Sequence, residues 1–515
     1  MKLAALHRWR PSRQRLPASR WRLTGLLAGV VLAATSWFCA AVPTEFPVVW
    51  PGVALWRPER GSPLACTVAL LAVGAMLYAW WALRDLDVTS GWLVRTAAAW
   101  FAPLLLSAPL FSRDIYSYAA QGLMLDQGLD PYTHGVQALQ SPWLDAVART
   151  WLDTPAPYGP VFLVLARGAA ALSGGHLLVA LVLLRLLAVA GVLVMMWAVP
   201  AIARSLGVDP ARAAWLGFLT PLVGGHLVSG GHNDALMVAG MLAGLALALK
   251  RRYLLSILAI AAAMTVKAPA VVVMPFVAIL WAVDDRGAGR AGRAMTWSRV
   301  IRRSLLAGAA TVAAFVAMSL ATGLGFSWLS ALATPGRSIQ WTSVSTAWGS
   351  AVGALGHLAG VDLTDGAIAV SRAVALALLG PVLVGIWLHA VKHSHDRRVV
   401  CQSAGLALLA VVVLAPAFHG WYFLWALPVL AATTSSRRAL TVLGGVAALL
   451  AVAVLPGGYG LALTTTSVGV PLMVLVSLVV LARAARAAAT YPWGALLSLA
   501  EPPPDRQETK VIPEG

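Results

Sequence analysis

Acidic side chains are scarce. The chain has 20 Asp and Glu among 515 residues, and charged residues of both signs make up 11% of it. Soluble domains carry about 25% charged residues, so a water-facing globular fold of this length is excluded. Cysteine is nearly absent. Cys39, Cys66 and Cys401 are scattered along the chain, which gives neither a disulfide framework nor a metal-ligand spacing, and they read as core residues. A Walker A phosphate loop is also missing, so ATP-driven transport has no support. What fills the chain is hydrocarbon: 59% of the residues are hydrophobic, with a mean hydropathy of +0.78. Segment after segment reaches the roughly 20 apolar residues that cross a core of about 30 Å. The fold class is an all-α polytopic membrane protein, one membrane domain with loops and no separate soluble domain.

Cations are plentiful, and their distribution carries the information. The net charge of +18 comes mostly from clusters: Lys2 to Arg22, Lys250 to Arg252, Arg286 to Arg303, Lys392 to Arg398, Arg437–Arg438, and Arg483 with Arg486. Short basic loops between apolar runs mark the cytoplasmic side and suit anionic lipid heads, so no nucleic-acid partner is expected. Residues 1–22 read as a basic cytoplasmic arm ahead of an uncleaved first span, 23–490 as the membrane domain, and 491–515 as a polar cytoplasmic tail.

Spans are expected at Leu23–Val42, Leu64–Leu83, Trp92–Leu110, His176–Ala203, Ala213–Val228, Ala235–Leu249, Leu305–Thr322, Ala367–Ala390, Ser403–Ala415, Trp421–Ala432, Leu440–Leu455 and Thr465–Leu481. The run Leu254–Trp281 has basic clusters on both sides and Lys267-Ala268-Pro269 near its middle. Two helices meeting at that break, with the tip outward, reconcile both facts. The total is roughly 12–14 crossings by this length criterion. Gly159–Ala171 and Val344–Leu358 are too short or interrupted and read as re-entrant or interfacial.

With the N-terminus inside, the third span delivers Arg113 and Asp114 to the outer face, at the head of a long outer loop, 111–158. Ser112 suits a cap for a helix running to about Gln127, with Gly128 as its stop. Asp114, Tyr118 and Gln121 then share one face. The helix dipole and Arg113 favour an ionised Asp114, which can serve as a general base or as an interfacial salt bridge and cap. In "SGGHND", His232, Asn233 and Asp234 can bind hydroxyls or phosphate, or Asn233 or Asp234 can simply cap a helix, while His226 reads as packed. Lys267, deep in a hydrophobic hairpin, calls for an anion such as a lipid phosphate. In "APAFHGWYFLW", His419 can bond a phosphate and Trp421 and Tyr422 can stack on a sugar, although an aromatic belt explains the last two equally well. Arg337 is a weaker phosphate candidate. Asp85-x-Asp87 has metal–nucleotide spacing but lies in a short cytoplasmic loop, where a solvated turn is the better reading.

The motifs "FSRDIYSYAAQG", "DPYTHGV", "TPAPYGPVF", "GGHNDALM" and "FHGWYFLW" together resemble the actinobacterial polyprenol-phosphate-mannose-dependent α-1,6-mannosyltransferases of the GT-C class, over roughly residues 100–480. The resemblance implies a multi-pass enzyme of the plasma membrane with an extracytoplasmic active site. Its donor would be polyprenyl-phosphate mannose, and its acceptor the lipid-anchored α-1,6-mannan backbone of a lipomannan-type lipoglycan. It implies Asp114 as the essential acid, Lys267 with His419 or Arg337 at the phosphate, and Tyr116, Tyr118, Tyr132 and Tyr158 around the sugar. Relatives of the class often pair two adjacent acids. Here Arg113 stands beside Asp114, so the second acid is open among Asp126, Asp130, Asp153 and Asp234. No cofactor is implied with certainty; a divalent cation stays open without a motif. The competing readings are a GT-C enzyme for another lipid-linked sugar such as arabinose, and a lipid-glycan flippase.

Overall fold

The computed structural model describes residues 17–40, 42, 62–285, 297–460 and 465–490. The basic residues Lys2 to Arg15, those from Arg286 to Arg293 and the polar tail from 491 lie outside the described residues. The N-terminal half holds α1 (Ala18–Cys39), α2 (Pro63–Leu83), α3 (Ser90–Phe101), α4 (Asp114–Asp126), α5 (Arg149–Leu152), α6 (Pro160–Leu172), α7 (Leu177–Ser205), α8 (Pro210–Gly217), α9 (Asp234–Leu249), α10 (Tyr253–Met264) and α11 (Met274–Asp284). The remainder holds α12 (Trp297–Ala321), α13 (Trp328–Ala331), α14 (Val344–Leu358), α15 (Thr364–Lys392), α16 (Arg397–Leu414), α17 (Phe423–Thr433), α18 (Arg437–Val452) and α19 (Thr466–Thr490). Among the described residues the strands are β1 (Val454–Leu455) and β2 (Tyr459–Gly460), a small antiparallel ribbon.

Among the described residues, seven helices are long and apolar enough to cross a membrane: α1, α2, α7, α12, α15, α16 and α19. A π turn at Val223–Ser229 followed by α9 forms an apolar pair bent by 109°, an eighth span if the two are counted as one. The expected 12–14 crossings therefore resolve into fewer long helices plus short ones, because breaks divide several apolar runs. The third expected span is one case: α3 ends at Phe101 and Pro103–Leu106 continues as a tight 3-10 turn. The fifth is another, since α8 stops at Gly217 before Pro221 and the π turn. Within the bundle, Trp80 of α2 and Trp215 of α8 stack at 4.7 Å. Each indole N–H donates to the other residue's carbonyl, at 2.8 and 2.7 Å. Large exposed apolar residues such as Leu376, Leu378 and Val384 on α15 face outward, where hydrocarbon replaces water as the solvent.

The run around Lys267 is a hairpin. Tyr253, which opens α10, donates its hydroxyl to the Leu280 carbonyl of α11 at 3.0 Å and stacks on Trp281. Asp284, at the end of α11, takes up Tyr253, Arg251 and Arg397, and Asp285 takes up Arg302 and Arg303. The two helices thus start and finish at one end of the bundle, with Thr265–Lys267 as their tip. α9 measures the separation of the two ends. Its last residue, Leu249, accepts from Arg397 at 3.3 Å, while its first, Asp234, binds Lys267 at 2.8 Å. Sixteen helical residues span about 24 Å, so a basic end and an acid-bearing end face opposite sides.

Close backbone contacts set the acid-bearing end. The Gly159 N–H donates to the Val266 carbonyl at 3.0 Å, and a Cβ there would lie 2.1 Å from the Thr265 carbonyl oxygen. Only glycine lets the loop that carries Tyr158 lie against the hairpin tip. Gly159→Ala should therefore force the two segments apart, costing about 1–3 kcal/mol as overpacking does. A lowered midpoint of thermal unfolding in detergent is the readout.

Candidate active site

Asp114 opens α4, and its backbone N–H donates to Ser112 Oγ at 3.1 Å. The helix ends as its sequence suggests, with Gln127 as its C-cap and Gly128 at a φ of 78°. Asp114 Oδ1 accepts the indole N–H of Trp151 at 2.9 Å, while Oδ2 faces His232 Nδ1 at 3.6 Å. The side chain is 16% exposed. Burial raises the carboxyl above the ordinary carboxylate range; the Trp151 N–H and the Lys267 charge oppose this, and the Asp234 charge adds to it. The expected hold of helix dipole and Arg113 is thus outweighed by desolvation. Arg113 itself turns to the ribbon, where its Nε donates to the Gly457 carbonyl at 3.3 Å.

The second acid of the cluster is Asp234. It is fully buried, and its Oδ1 accepts from Lys267 Nζ at 2.8 Å and from Trp425 Nε1 at 2.6 Å. Its Oδ2 has no hydrogen-bond partner and lies 3.8 Å from His232 Nδ1. The other candidates are spent elsewhere: Asp126 pairs with Arg167, Asp130 accepts the Tyr132 N–H, and Asp153 accepts from the Thr154 hydroxyl. Asn233 precedes α9 but caps it with no side-chain bond. It accepts instead from the Tyr118 hydroxyl at 3.4 Å.

Lys267 stands in the extended link between α10 and the 3-10 turn Ala268–Val273, with 12% of its side chain exposed. Aromatic rings surround its ammonium: Tyr422 at 4.7 Å, Trp425 at 5.3 Å and Tyr158 at 5.9 Å. Trp421 is the next plate, with His232, His419 and His226 at 4.3, 4.6 and 5.2 Å. Burial, with the nearby Lys267 charge, holds the His419 imidazole down to about 4, so it meets a ligand as a neutral donor. Several buried polar atoms here lack partners: both amide atoms of Gln121, the Asn233 amide nitrogen, Ser117 Oγ and both ring nitrogens of His232. Leaving such groups unpaired costs about 1–3 kcal/mol each, and hydroxyls of a bound ligand would satisfy them.

The remaining candidates are placed apart. Tyr132 donates its hydroxyl to the Tyr158 carbonyl at 3.0 Å. Together with Pro155, Ser330, Thr334 and Arg337 it lines a separate cleft of about 200 Å³. Tyr116 is buried within the field of Arg185. Asp85 pairs with Arg84 at the end of α2. Among the described residues no group of three or more His, Cys, Asp or Glu is arranged to hold a metal ion.

Three contributors escaped the sequence reading: Trp151, Trp425 and Arg185. The guanidinium of Arg185 donates to the carbonyls of Leu105, Ser107 and Ser229 at 3.0, 2.6 and 2.8 Å. It thereby ties the approach to Asp114 to the turn that carries His232 and Asp234. An arginine inside a long apolar helix was the available signal.

Comparison with known proteins adds the family. A model described as "Alpha-(1->6)-mannopyranosyltransferase, N-terminal domain" matches residues 22–283, and one described as "MptB C-terminal domain" matches 345–486. The chain is 34% identical to alpha-(1->6)-mannopyranosyltransferase A of Mycobacterium tuberculosis, covering 84% of each. It is 31% identical to the protein of that name from Corynebacterium glutamicum, over 65% of this chain and 69% of the relative, and 29% identical to alpha-(1->6)-mannopyranosyltransferase B of the same organism, over 80% and 72%. No solved structure matches.

The Lys267–Asp234 pair yields a stability test. Lys267→Met strands a buried carboxylate and should cost about 3–5 kcal/mol. Adding Asp234→Asn removes the stranded charge and should recover much of that loss. Thermal unfolding of both variants in one detergent reads the coupling.

Proposed function

The chain belongs to the α-(1→6)-mannopyranosyltransferase family, and on that footing we propose that it moves mannose from polyprenyl-phosphate mannose to the α-1,6-mannan backbone of a lipoglycan, with Asp114 as general base. The multi-pass architecture and the transfer of mannose come with the family and the fold; donor, acceptor and residue roles are the proposal. One observation carries it: a partly open carboxylate, Asp114, lies in the field of a fixed cation, Lys267, whose ammonium is ringed by aromatic side chains. A base and an anion-stabilising cation held together are what an in-line displacement at a sugar phosphate requires.

In the proposed reaction the acceptor 6-hydroxyl oxygen attacks the anomeric carbon of the donor and the carbon–oxygen bond to phosphate breaks. The hydroxyl proton goes to Asp114 Oδ2 and the electron pair leaves with the polyprenyl phosphate, so a β-linked donor gives an α-linked product. Lys267 stabilises the departing phosphate, with the neutral His419 as a further donor. Trp421 and Tyr422 supply stacking faces, and Gln121 and Asn233 offer unpaired amides to sugar hydroxyls. A lipid monophosphate is already a competent leaving group, so no nucleotide site is needed. The basic end of α9 marks the cytoplasmic side by the positive-inside rule, which supports an Asp114 pocket opening outward from the plasma membrane.

Purified protein given labelled polyprenyl-phosphate mannose and a mannan acceptor should release polyprenyl phosphate and extend the acceptor. The arabinose-charged lipid, run in parallel, should not react. Asp114→Asn should lower transfer by about 10²–10⁴-fold, the usual worth of a general base. Near-normal rates in that variant would end this reading. Because the base must be ionised, transfer should be lost as pH falls through the Asp114 pKa. That acid limb should lie above the ordinary carboxylate value of about 3.9, as burial dictates.

A further inference from the structure

We infer that His232 is a positioning residue for Asp114, a single N–H shared between the two carboxylates of the pocket; this rests on Asp114 being the base. The imidazole is fully buried, and its Nδ1 lies 3.6 Å from Asp114 Oδ2 and 3.8 Å from Asp234 Oδ2. Both neighbours are acceptors, so the proton of the neutral ring belongs on Nδ1. Neither distance is yet a hydrogen bond, which needs about 2.7–3.2 Å, and a shift toward one oxygen moves the ring off the other.

This N–H is paired with no other acceptor among the described residues. Asp114 Oδ1 is taken by Trp151, and Asp234 Oδ1 by Lys267 and Trp425. His226 and His419, from the π turn and the link before α17, meet the same Trp421 plate as His232 by ring contact. Trp421 itself supports the His232 ring at 4.3 Å, and Gly231, at a φ of 62°, turns the backbone just ahead of it.

The arrangement acts as follows. When the acceptor binds, the N–H closes on Asp114 Oδ2, the nearer of the two oxygens, and fixes the carboxylate plane so that its remaining lone pair meets the acceptor hydroxyl. When Asp114 takes the acceptor's proton, its demand for a donor lapses. The N–H then passes to Asp234 Oδ2, the oxygen that Lys267 and Trp425 leave unpaired. No proton leaves His232; only its hydrogen-bond partner changes.

Two variants of the full-length protein separate this from a packing role. In His232→Asn the amide nitrogen sits where Nδ1 was; in His232→Gln it sits nearer the place of Nε2. The Asn variant should keep kcat within a few-fold and leave the acid limb in place. The Gln variant should lose on the order of 10–100-fold in kcat with little change in acceptor KM, as misaligned catalytic groups do. Its acid limb should move up by about one pH unit, because burial and Asp234 then act on Asp114 with one opposing donor fewer. The position of the limb does not depend on the fraction of protein that is folded, so partial destabilisation leaves the test intact. Asn and Gln variants with equal rates and limbs, while Asp114→Asn is inactive, would overturn the role of His232. Activity in Asp114→Asn would instead overturn the underlying reading.

Discussion

The buried pair of Lys267 and Asp234 is the contact on which the pocket depends. It joins three segments far apart in sequence: the tip of the α10–α11 hairpin, the start of α9, and α17 through Trp425. Two unpaired charges at this depth would be prohibitive, and their mutual compensation makes both tolerable. Once Asp234 has spent one oxygen on Lys267 and Trp425, its other oxygen faces His232, which faces Asp114. The two charges of an ion pair that Asp114 does not belong to therefore act on it in opposite directions, behind the larger effects of burial and the Trp151 N–H.

The opposite end of the bundle holds the hairpin shut by the complementary arrangement. Asp284 and Asp285 gather Arg251, Arg397, Arg302 and Arg303 where α9, α10, α11, α12 and α16 meet. Those contacts return the chain to its starting side and let Lys267 stand alone at the tip. Arg185 does the same work at the other end without a carboxylate, satisfying three carbonyls freed where helices stop. The breaks in α3, in the π turn and at Thr265–Lys267 are tolerable because protein groups meet the exposed backbone.

Much of this was legible where the signal is local. Hydropathy located the long helices; Ser112 and Gly128 bracketed α4; Val344–Leu358 has the bounds read from its composition. The doubly basic flanks and the Lys-Ala-Pro break foretold the hairpin. Long-range pairing left no such trace. Trp151 and Trp425 look like interfacial aromatics, yet each donates to a carboxylate, 37 and 191 residues away respectively. The second acid stayed open among four residues because sequence adjacency, the habitual clue, is filled by Arg113, whose guanidinium reaches the ribbon. Burial of Asp114 was illegible too, since its shell comes from α5, the turn before α9 and the hairpin tip.

The central claim is spatial: acceptor hydroxyl at Asp114, departing phosphate at Lys267. A cryo-EM structure of the protein with a phosphonate analogue of the lipid-linked mannose and a short mannan acceptor tests it directly. The account predicts the acceptor 6-hydroxyl within hydrogen-bond reach of Asp114 Oδ2 and the phosphonate oxygens against Lys267 Nζ. A phosphonate seated in the Tyr132–Arg337 cleft, with the acceptor hydroxyl out of reach of Asp114, would contradict it.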